Sequence, residues 1–224
     1  MVHEGSAHFV QLIQRDCPNA QHVLVVGCGY KGGEVFSLAE ALPHAYIEGF
    51  DINLDLKLEN LQTERYRITR GDACAMSYPD ESFDAVFYHH VIEHVPCPEK
   101  SIAECARVLK PGGYLYCGTP NRSRLIGYIG SRATLQEKIR WNLADWKMRL
   151  KGKFRNEHGA HAGFTEAELD AMLRPHFHEV HWLTGDYLKF KYAHKLPRPV
   201  MRIILWKPLR NILAPAIYCW ARKC

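Results

Sequence analysis

His22-Val-Leu-Val-Val-Gly-Cys-Gly-Tyr-Lys-Gly-Gly33 is the stretch of sequence that decides the fold. Its residues 23–26 form a short, apolar and mostly β-branched run, which is typical of a strand buried on both faces of a parallel sheet. Four glycines follow, and an apolar helical pattern begins at Glu34. Glycine allows a tight reversal and a close approach by a ligand, and the free N–H groups of a helix start bind electronegative groups. The stretch predicts a strand, a glycine turn and a helix, with either a nucleotide-type pocket or only a tight turn between them.

Size and composition are those of an ordinary globular protein. The chain has 224 residues, 47% hydrophobic and 24% charged, so it can bury a large core as one domain or as a domain with an insertion. The formal net charge of +5 is mild, and we therefore expect no nucleic-acid partner. None of the eight cysteines forms a CxxC pair, which favours reduced, packed thiols over a disulfide framework or a metal site.

The sequence carries no signal for export or membrane insertion. Residues 1–15 lack a basic start followed by a long apolar stretch, so no signal peptide is expected. No apolar run is long enough to span a bilayer. We therefore expect a cytoplasmic protein, with peripheral contact to a membrane as the open alternative.

Strand and helix patterns alternate along the chain. Strands are predicted at 23–26, 45–50, 66–69, 83–88, 114–118, 177–183 and 216–221, and helices at 8–14, 34–42, 54–61 and 99–109. Thr165-Glu-Ala-Glu168 is a capping box that opens a further helix to Leu173. This alternation predicts an α/β fold: a Rossmann-like, doubly wound, mostly parallel seven-stranded sheet with helices on both faces. We expect residues 1–224 to form a single domain.

The alternation breaks at residues 122–160, where we expect a helical lid inserted over the substrate. Leu135, Ile139, Leu143, Trp146 and Leu150 recur at helical spacing and predict a long amphipathic helix. Eight Lys or Arg lie between 131 and 155, against two acidic residues. This basic side is either simply solvated, or it meets an anionic substrate or an acidic membrane surface.

Residues 199–213 mix apolar and basic side chains in a similar way. They could pack on the edge of the sheet, or they could touch a membrane surface. Peripheral membrane contact, where it occurs, is therefore predicted through 131–155 or 199–213.

Asp51 stands where the second predicted strand ends, twenty-four positions after Gly27. Ligands of open α/β sheets bind at the carboxyl ends of the strands, and a carboxylate there can accept both hydroxyls of a ribose. The alternative is that Asp51 only caps the following helix. A glycine turn followed by such an aspartate fits NAD as well as other adenosine-bearing cofactors, so these two strands leave the cofactor open.

Several ordered motifs decide between these cofactors. They are Val23-Leu-Val-Val-Gly-Cys-Gly29, Asp51-Ile-Asn53, Gly71-Asp-Ala73, Tyr78-Pro-Asp-Glu-Ser-Phe-Asp-Ala-Val86, Val91-Ile-Glu-His-Val95, Val108-Leu-Lys-Pro-Gly-Gly-Tyr-Leu115 and Thr119-Pro-Asn121. With these motifs in this order, the chain resembles the class I S-adenosylmethionine-dependent methyltransferases, in particular the small-molecule branch that includes ubiquinone-type O-methyltransferases. The resemblance covers residues 23–121 firmly and 158–224 loosely.

The resemblance implies S-adenosyl-L-methionine as the cofactor. The cofactor-binding residues that it implies are Gly27, Cys28, Gly29, Asp51, Ile52, Asp72, Ala73 and His89. The glycine turn and His89 would line the methionine part, Asp51 would hold the ribose, and Asp72 would bind the adenine amino group. Two departures from the family concern the methionine carboxylate: Val25 replaces a common acidic residue, and the glycine loop is one residue longer.

Methyl transfer to a hydroxyl needs alignment with the sulfonium methyl and is helped by a positioned base. Histidine titrates in the useful range, which makes it the natural candidate. The side chains considered are His90, Glu93, His94, His158 and His161. Of these, we take His94, His90 and His161 as the candidate catalytic residues and interpret Glu93 first as a buttress of the helix start.

The sequence therefore favours an S-adenosylmethionine-dependent methyltransferase that acts on a small-molecule or a lipid- or glycan-linked acceptor, anionic acceptors included, with oxygen as the expected methylated atom. Two alternatives are an NAD(P)-dependent oxidoreductase and a non-catalytic Rossmann-like interaction module. The intact set of Gly27, Gly29, Asp51 and Asp72 speaks against the second alternative. The oligomeric state is left open.

Overall fold

A central sheet of eight strands organises the computed structural model, which describes residues 4–128, 131, 133–159 and 161–224. The strands are β1 (His22–Val26), β2 (Tyr46–Asp51), β3 (Leu61–Gln62), β4 (Tyr66–Arg70), β5 (Phe83–His89), β6 (Leu109–Pro120), β7 (Phe177–Trp182) and β8 (Ala216–Lys223). Their order is β3-β4-β2-β1-β5-β6-β8-β7. The five strands from β4 to β6 are parallel, whereas β3, β8 and β7 pair antiparallel with their neighbours. The mostly parallel α/β sheet is confirmed, and the two-residue β3 is an edge strand beyond the seven expected.

Helices cover both faces of this sheet. They are α1 (Glu4–Asp16), α2 (Gly33–Ala41), α3 (Pro98–Val108), α4 (Leu135–Leu150), α5 (Glu166–Leu173), α6 (Thr184–Tyr192), α7 (Arg198–Leu205) and α8 (Lys207–Leu213). Val23 and Val25 of β1 belong to a core cluster with residues of α1 and α2, while Leu24 and Val26 belong to a second cluster with residues of α3 and α5. Successive side chains of β1 therefore pack into two hydrophobic cores, one on each face of the sheet. Among the described residues, no helix is long and apolar enough to cross a membrane.

The helix predicted at residues 54–61 is wrong. This segment forms turns and ends in β3, which pairs with β4. Arg70 accounts for part of the difference, because its guanidinium donates to the carbonyl oxygens of Ile52 at 3.2 Å and Leu54 at 3.1 Å, at the start of the segment. The Asp55 side chain accepts from the backbone N–H two residues on, a local bond that competes with helix formation.

The insertion between β6 and α5 contains the expected long helix, α4. None of its residues is buried, and the five apolar positions that predicted it are exposed. Residues 199–213, for which the sequence left two alternatives, form most of α7 and the whole of α8. Arg132, one of the eight basic residues counted, and Ala160, the last residue of the expected lid, lie outside the described residues.

Candidate functional site

The glycine turn after β1 has the open backbone that its sequence predicts. Gly27 and Gly29 have φ values of 70° and 79°, a region that favours glycine. A Cβ at Gly27 would lie 2.3 Å from Cγ2 of Val91, so close packing requires glycine there. A Cβ at Gly29 would meet no atom within 4 Å, so the space over this residue is open. The turn therefore forms a cradle that a side chain would partly fill.

Asp51 at the end of β2 borders this cradle. Its Oδ2 accepts a hydrogen bond from the Gly29 N–H, and its Oδ1 accepts one from the Asn53 N–H, each at 2.8 Å. These bonds fix the carboxylate against the turn, and each oxygen keeps a further lone pair for a ligand hydroxyl. The helix cap considered for Asp51 does not form, because residues 54–61 are not helical.

The other residues that the resemblance implies stand along the same edge. Ile52 follows β2 and is 66% exposed, while Asp72 and Ala73 follow β4. The Asp72 carboxylate accepts from the Cys74 N–H at 2.8 Å. Because the carboxyl ends of parallel strands share one edge of a sheet, these side chains and the glycine turn face one region. An open turn, a carboxylate and an exposed apolar side chain at this edge fit an adenosine-bearing cofactor.

His89 ends β5 next to this region. Its ring stacks with those of Phe87 and Tyr218 at centroid distances of 5.4 Å and 5.9 Å. Gly5 of α1 covers the ring, since a Cβ there would stand 2.7 Å from the His89 Nε2. The Ser6 hydroxyl donates to the carboxylate of Glu34 at the start of α2. Helix α1 therefore closes the site on this side and is tied to the helix that follows the glycine turn.

His90 is held in an uncommon backbone conformation beside a buried carboxylate. Its φ is 55°, and its N–H donates to the Gly118 carbonyl at 2.7 Å. Its Nδ1 lies 3.3 Å from Oε1 of Glu93, whose side chain is 2% exposed. The Thr119 hydroxyl donates to the other Glu93 oxygen at 3.1 Å. A carboxylate at Nδ1 keeps a proton on that nitrogen and leaves Nε2 of His90 as the proton acceptor.

His94 and His161 form a second histidine pair. Their rings pack edge to face with centroids 4.8 Å apart. Burial lowers the pKa of His161 below its ordinary value, and the neighbouring His94 lowers it further. A lowered pKa keeps the ring neutral near pH 7, and only a neutral ring can accept a proton.

One cavity of about 430 Å³ brings these groups together. Its lining includes four histidines (His89, His90, His94 and His161) and four tyrosines (Tyr128, Tyr187, Tyr192 and Tyr218). The three candidate catalytic histidines therefore share one space with the end of β5. His158 is exposed and is not among the lining residues. Within the part of the chain that the structure describes, no group of three or more His, Cys, Asp or Glu side chains could hold a metal ion.

Sequence reasoning missed the tyrosines of this cavity and two cations, Arg124 and Lys191, among its described lining residues. Tyr187 and Tyr218 come from α6 and β8, far beyond the motifs, and no short-range pattern marks them. Arg124 is 4% exposed and donates to the carboxylate of Asp145 and to backbone carbonyls. Lys191 is paired with a carboxylate of α1 at 2.5 Å. Arg124 follows Asn121 closely in sequence, but that spacing does not distinguish a buried arginine from a solvated one.

Comparison with known proteins identifies the family of this chain. A family model described as a methyltransferase domain matches residues 24–117. The ubiquinone biosynthesis O-methyltransferase of Marinobacter nauticus is 31% identical over 178 residues, which cover 74% of this chain and 73% of the relative. The enzyme of the same name from Thiobacillus denitrificans is 30% identical over 174 residues, which cover 73% of each protein.

Solved structures share the fold. The plantazolicin methyltransferase BpumL, in complex with S-adenosylhomocysteine, has a TM-score of 0.62 and 16% sequence identity, covering 98% of this chain and 82% of that chain. A SAM-dependent methyltransferase from Archaeoglobus fulgidus has a TM-score of 0.56 and 19% identity, covering 97% and 94%. Identities this low speak to the fold alone.

These comparisons leave no support for the oxidoreductase or the non-catalytic module that the glycine turn alone permitted. S-adenosyl-L-methionine is the cofactor, and the chain is an enzyme. The chain belongs to the class I S-adenosylmethionine-dependent methyltransferases and is similar to the ubiquinone biosynthesis O-methyltransferases.

Proposed function

We propose that this enzyme methylates a hydroxyl oxygen of a small-molecule acceptor bound in the histidine- and tyrosine-lined cavity. The single observation that carries the proposal is that His90, His94 and His161 line one cavity at the end of β5. O-methylation is what the names of the relatives state for those enzymes. A hydroxyl acceptor has to lose a proton, and an imidazole nitrogen beside it can accept that proton.

The cofactor side of the proposal uses the edge formed by β1, β2, β4 and β5. Gly27, Cys28 and Gly29, with His89, would line the methionine part of the cofactor. Asp51 would hold the ribose through the lone pairs that its two backbone bonds leave free. Ile52 would flank the adenine, and Asp72 and Ala73 would bind its polar edge. Bound in this way, the cofactor supplies an electrophilic methyl group on a sulfonium sulfur.

His90 is our first candidate for the general base, and Glu93 is its positioning residue. The buried Glu93 carboxylate, anchored by Thr119, faces Nδ1 and so directs Nε2 toward an acceptor. His94 and His161 are the second candidates, because the lowered pKa of His161 also favours the neutral ring. The remaining work of the protein is alignment, since holding nucleophile and methyl in line supplies much of the rate.

The lining of the cavity favours an acceptor with a flat, unsaturated ring. Tyrosine rings offer broad apolar faces for stacking and hydroxyls for orientation. Among the described residues of the lining, both cations already have carboxylate partners, Arg124 with Asp145 and Lys191 with Glu4. An anionic, lipid-linked or glycan-linked acceptor therefore stays a prediction from sequence, and a phenolic hydroxyl is the acceptor that we propose to test first.

The test is a methyl-transfer assay on the purified full chain with a panel of phenols and a matched panel of aromatic amines. We expect methylated phenols, identified by mass spectrometry, and a drop in kcat/KM of about 10²–10⁴-fold for His90→Gln. His158→Gln is the matched control, since it removes a histidine outside the cavity. Methylation of the amines alone would overturn the choice of oxygen, and full activity of His90→Gln would overturn the choice of base.

A further inference from the structure

The helix α4 is packed with its polar side toward the protein. The Asn142 side-chain amide exchanges hydrogen bonds with the backbone of Gly127 at 2.7 Å and 3.2 Å. Asp145 accepts from Arg124 at 3.2 Å, and Arg149 donates to two backbone carbonyls at 2.8 Å. These hydrogen bonds, together with a ring contact between Trp141 and Tyr128 at a centroid distance of 5.0 Å, hold α4 on the protein. The packed side of α4 is therefore more polar than that of the usual amphipathic surface helix.

The apolar side of α4 faces outward as a result. We call it the outer face, formed by Leu135, Ile139, Leu143, Trp146 and Leu150, which are 73%, 52%, 65%, 41% and 86% exposed. At 3.6 residues per turn these positions fall within an arc of about 80°. Leu125 and Ile126, 40% and 52% exposed, adjoin it and form with it a shallow groove of about 490 Å³. A contiguous exposed apolar surface of this kind marks an interaction site.

Cations border the outer face on its solvent side. Arg140, Lys147 and Lys151 are exposed and follow the apolar arc within about another 80° of the helix surface. The two acidic residues of α4 are engaged elsewhere: Asp145 faces the protein, and Glu137 belongs to the N-terminal capping box. The border is therefore positively charged along its length.

A second basic and apolar surface lies next to the same loop. Leu125 bonds to both helices. Its N–H donates to the Ile212 carbonyl of α8 at 2.8 Å, and its carbonyl accepts from the Trp146 indole N–H of α4 at 3.1 Å. On α7 and its end, Val200, Ile203 and Trp206 are 39%, 55% and 61% exposed. Helices α7 and α8 also carry Arg198, Arg202, Lys207 and Arg210 and no acidic residue.

We propose that the outer face of α4, together with α7, docks this enzyme on a membrane surface rich in anionic phospholipids. An apolar face bordered by cations matches the acyl and headgroup layers of such a surface. A second copy of the chain fits less well, because a twofold contact would bring the like-charged borders together. Arg124 and Tyr128 of the adjoining loop line the acceptor cavity, so docking places that cavity near the bilayer. The proposal goes beyond the proposed function and does not depend on it.

The test is a vesicle flotation assay with the full chain, using phosphatidylcholine vesicles with and without about a third phosphatidylglycerol. We expect binding to the anionic vesicles that weakens with salt and is weaker by at least tenfold on phosphatidylcholine alone. Ile139→Gln/Leu143→Gln should lower partitioning more than tenfold. Arg140→Gln/Lys147→Gln should lower it by roughly fivefold for each charge removed.

Leu56→Gln/Lys57→Gln is the matched control, because it removes one exposed leucine (75% exposed) and one exposed cation from a different surface. This pair should bind vesicles as the wild type does. Wild-type chain that fails to float, or outer-face variants that float unchanged, would overturn the proposal. A drop in molecular mass of the Ile139→Gln/Leu143→Gln variant in light scattering would also overturn it and assign the face to a second copy. The same variants are also assayed for methyl transfer to a soluble phenol. Loss of vesicle binding with unchanged methyl transfer concerns the docking surface alone, whereas loss of methyl transfer concerns the proposed function.

Discussion

Gly29→Ala separates cofactor binding from folding more cleanly than any other change in the turn. Gly29 has φ 79°, and a Cβ there meets no protein atom within 4 Å. A left-handed backbone conformation destabilises an alanine by about 1–2 kcal/mol relative to glycine. Alanine also lowers the conformational entropy of the unfolded chain, which offsets about half of this loss in the free energy of unfolding. We therefore expect the free energy of unfolding of the cofactor-free protein to fall by only about 1 kcal/mol.

Cofactor affinity should fall by more. The open space over Gly29 is where the proposal puts the methionine part of S-adenosylmethionine, and the new methyl group would occupy it. Crowding a filled site with one methyl costs about 1–3 kcal/mol, which is roughly a 5- to 150-fold rise in Kd.

Gly152→Ala is the matched control. Gly152 also has a positive φ, 66°, and also has no atom within 4 Å of a built Cβ, but it lies just beyond α4. It should lose the same stability in urea denaturation and keep its S-adenosylmethionine affinity in calorimetry. A Gly29→Ala enzyme that binds the cofactor as tightly as Gly152→Ala would refute the placement of the cofactor over this turn.

Three further predictions follow from single residues. Gly27→Ala should cost about 2–5 kcal/mol of unfolding free energy in urea denaturation, because its Cβ would stand 2.3 Å from Val91 and its φ is positive; a stable variant would contradict this. Asp51→Asn should weaken S-adenosylmethionine binding by at least about 1.5 kcal/mol in calorimetry, whereas Asp55→Asn, in the segment that follows β2, should not. Burial lowers the pKa of His8 from 6.5 to about 4, so the unfolded chain binds a proton at this residue before the folded protein does. The free energy of unfolding should therefore be constant in this respect above pH 6.5 and should fall by up to about 3 kcal/mol as the pH is lowered to 4. Unfolding measured from pH 7 to 4 should show this loss in the wild type and a smaller one in His8→Gln.

The strands and turns within the motifs of residues 22–121 could be predicted from the sequence because their structure depends on neighbouring residues. A β-branched run, four glycines and an aspartate at a strand end fix β1, its turn and the end of β2 within one short stretch. The Thr165 capping box is local in the same sense, and its reciprocal bonds with Glu168 are present. Each of these features needs only neighbours in sequence.

The segment 54–61 shows why local patterns fail. Its leucines recur at helical spacing, yet Arg70 of β4 takes the carbonyls of Ile52 and Leu54. Tertiary bonds from a residue outside the segment therefore override its periodicity. The same limit applies to α4, where the spacing predicts the helix, but only the bonds of Asn142 and Asp145 decide which side faces the protein.

The candidate site could be predicted on one side only. The cofactor edge comes from sequence motifs, whereas the acceptor cavity is assembled from distant elements. Tyr218 of β8 stacks with His89 of β5 across β6 because the β6 residue between them is Gly118, where a Cβ would stand 2.7 Å from the Tyr218 ring. The spacing of residues along the chain does not predict a contact between residues as far apart in sequence as these two.

The central claim is that the edge formed by the glycine turn and Asp51 holds S-adenosylmethionine. Isothermal titration calorimetry of the full chain with this cofactor, alongside NADH as a second adenosine-bearing ligand, tests it most directly. We expect saturable heat for S-adenosylmethionine with one site per chain, and none for NADH. Saturable binding of NADH together with no heat from S-adenosylmethionine would contradict it.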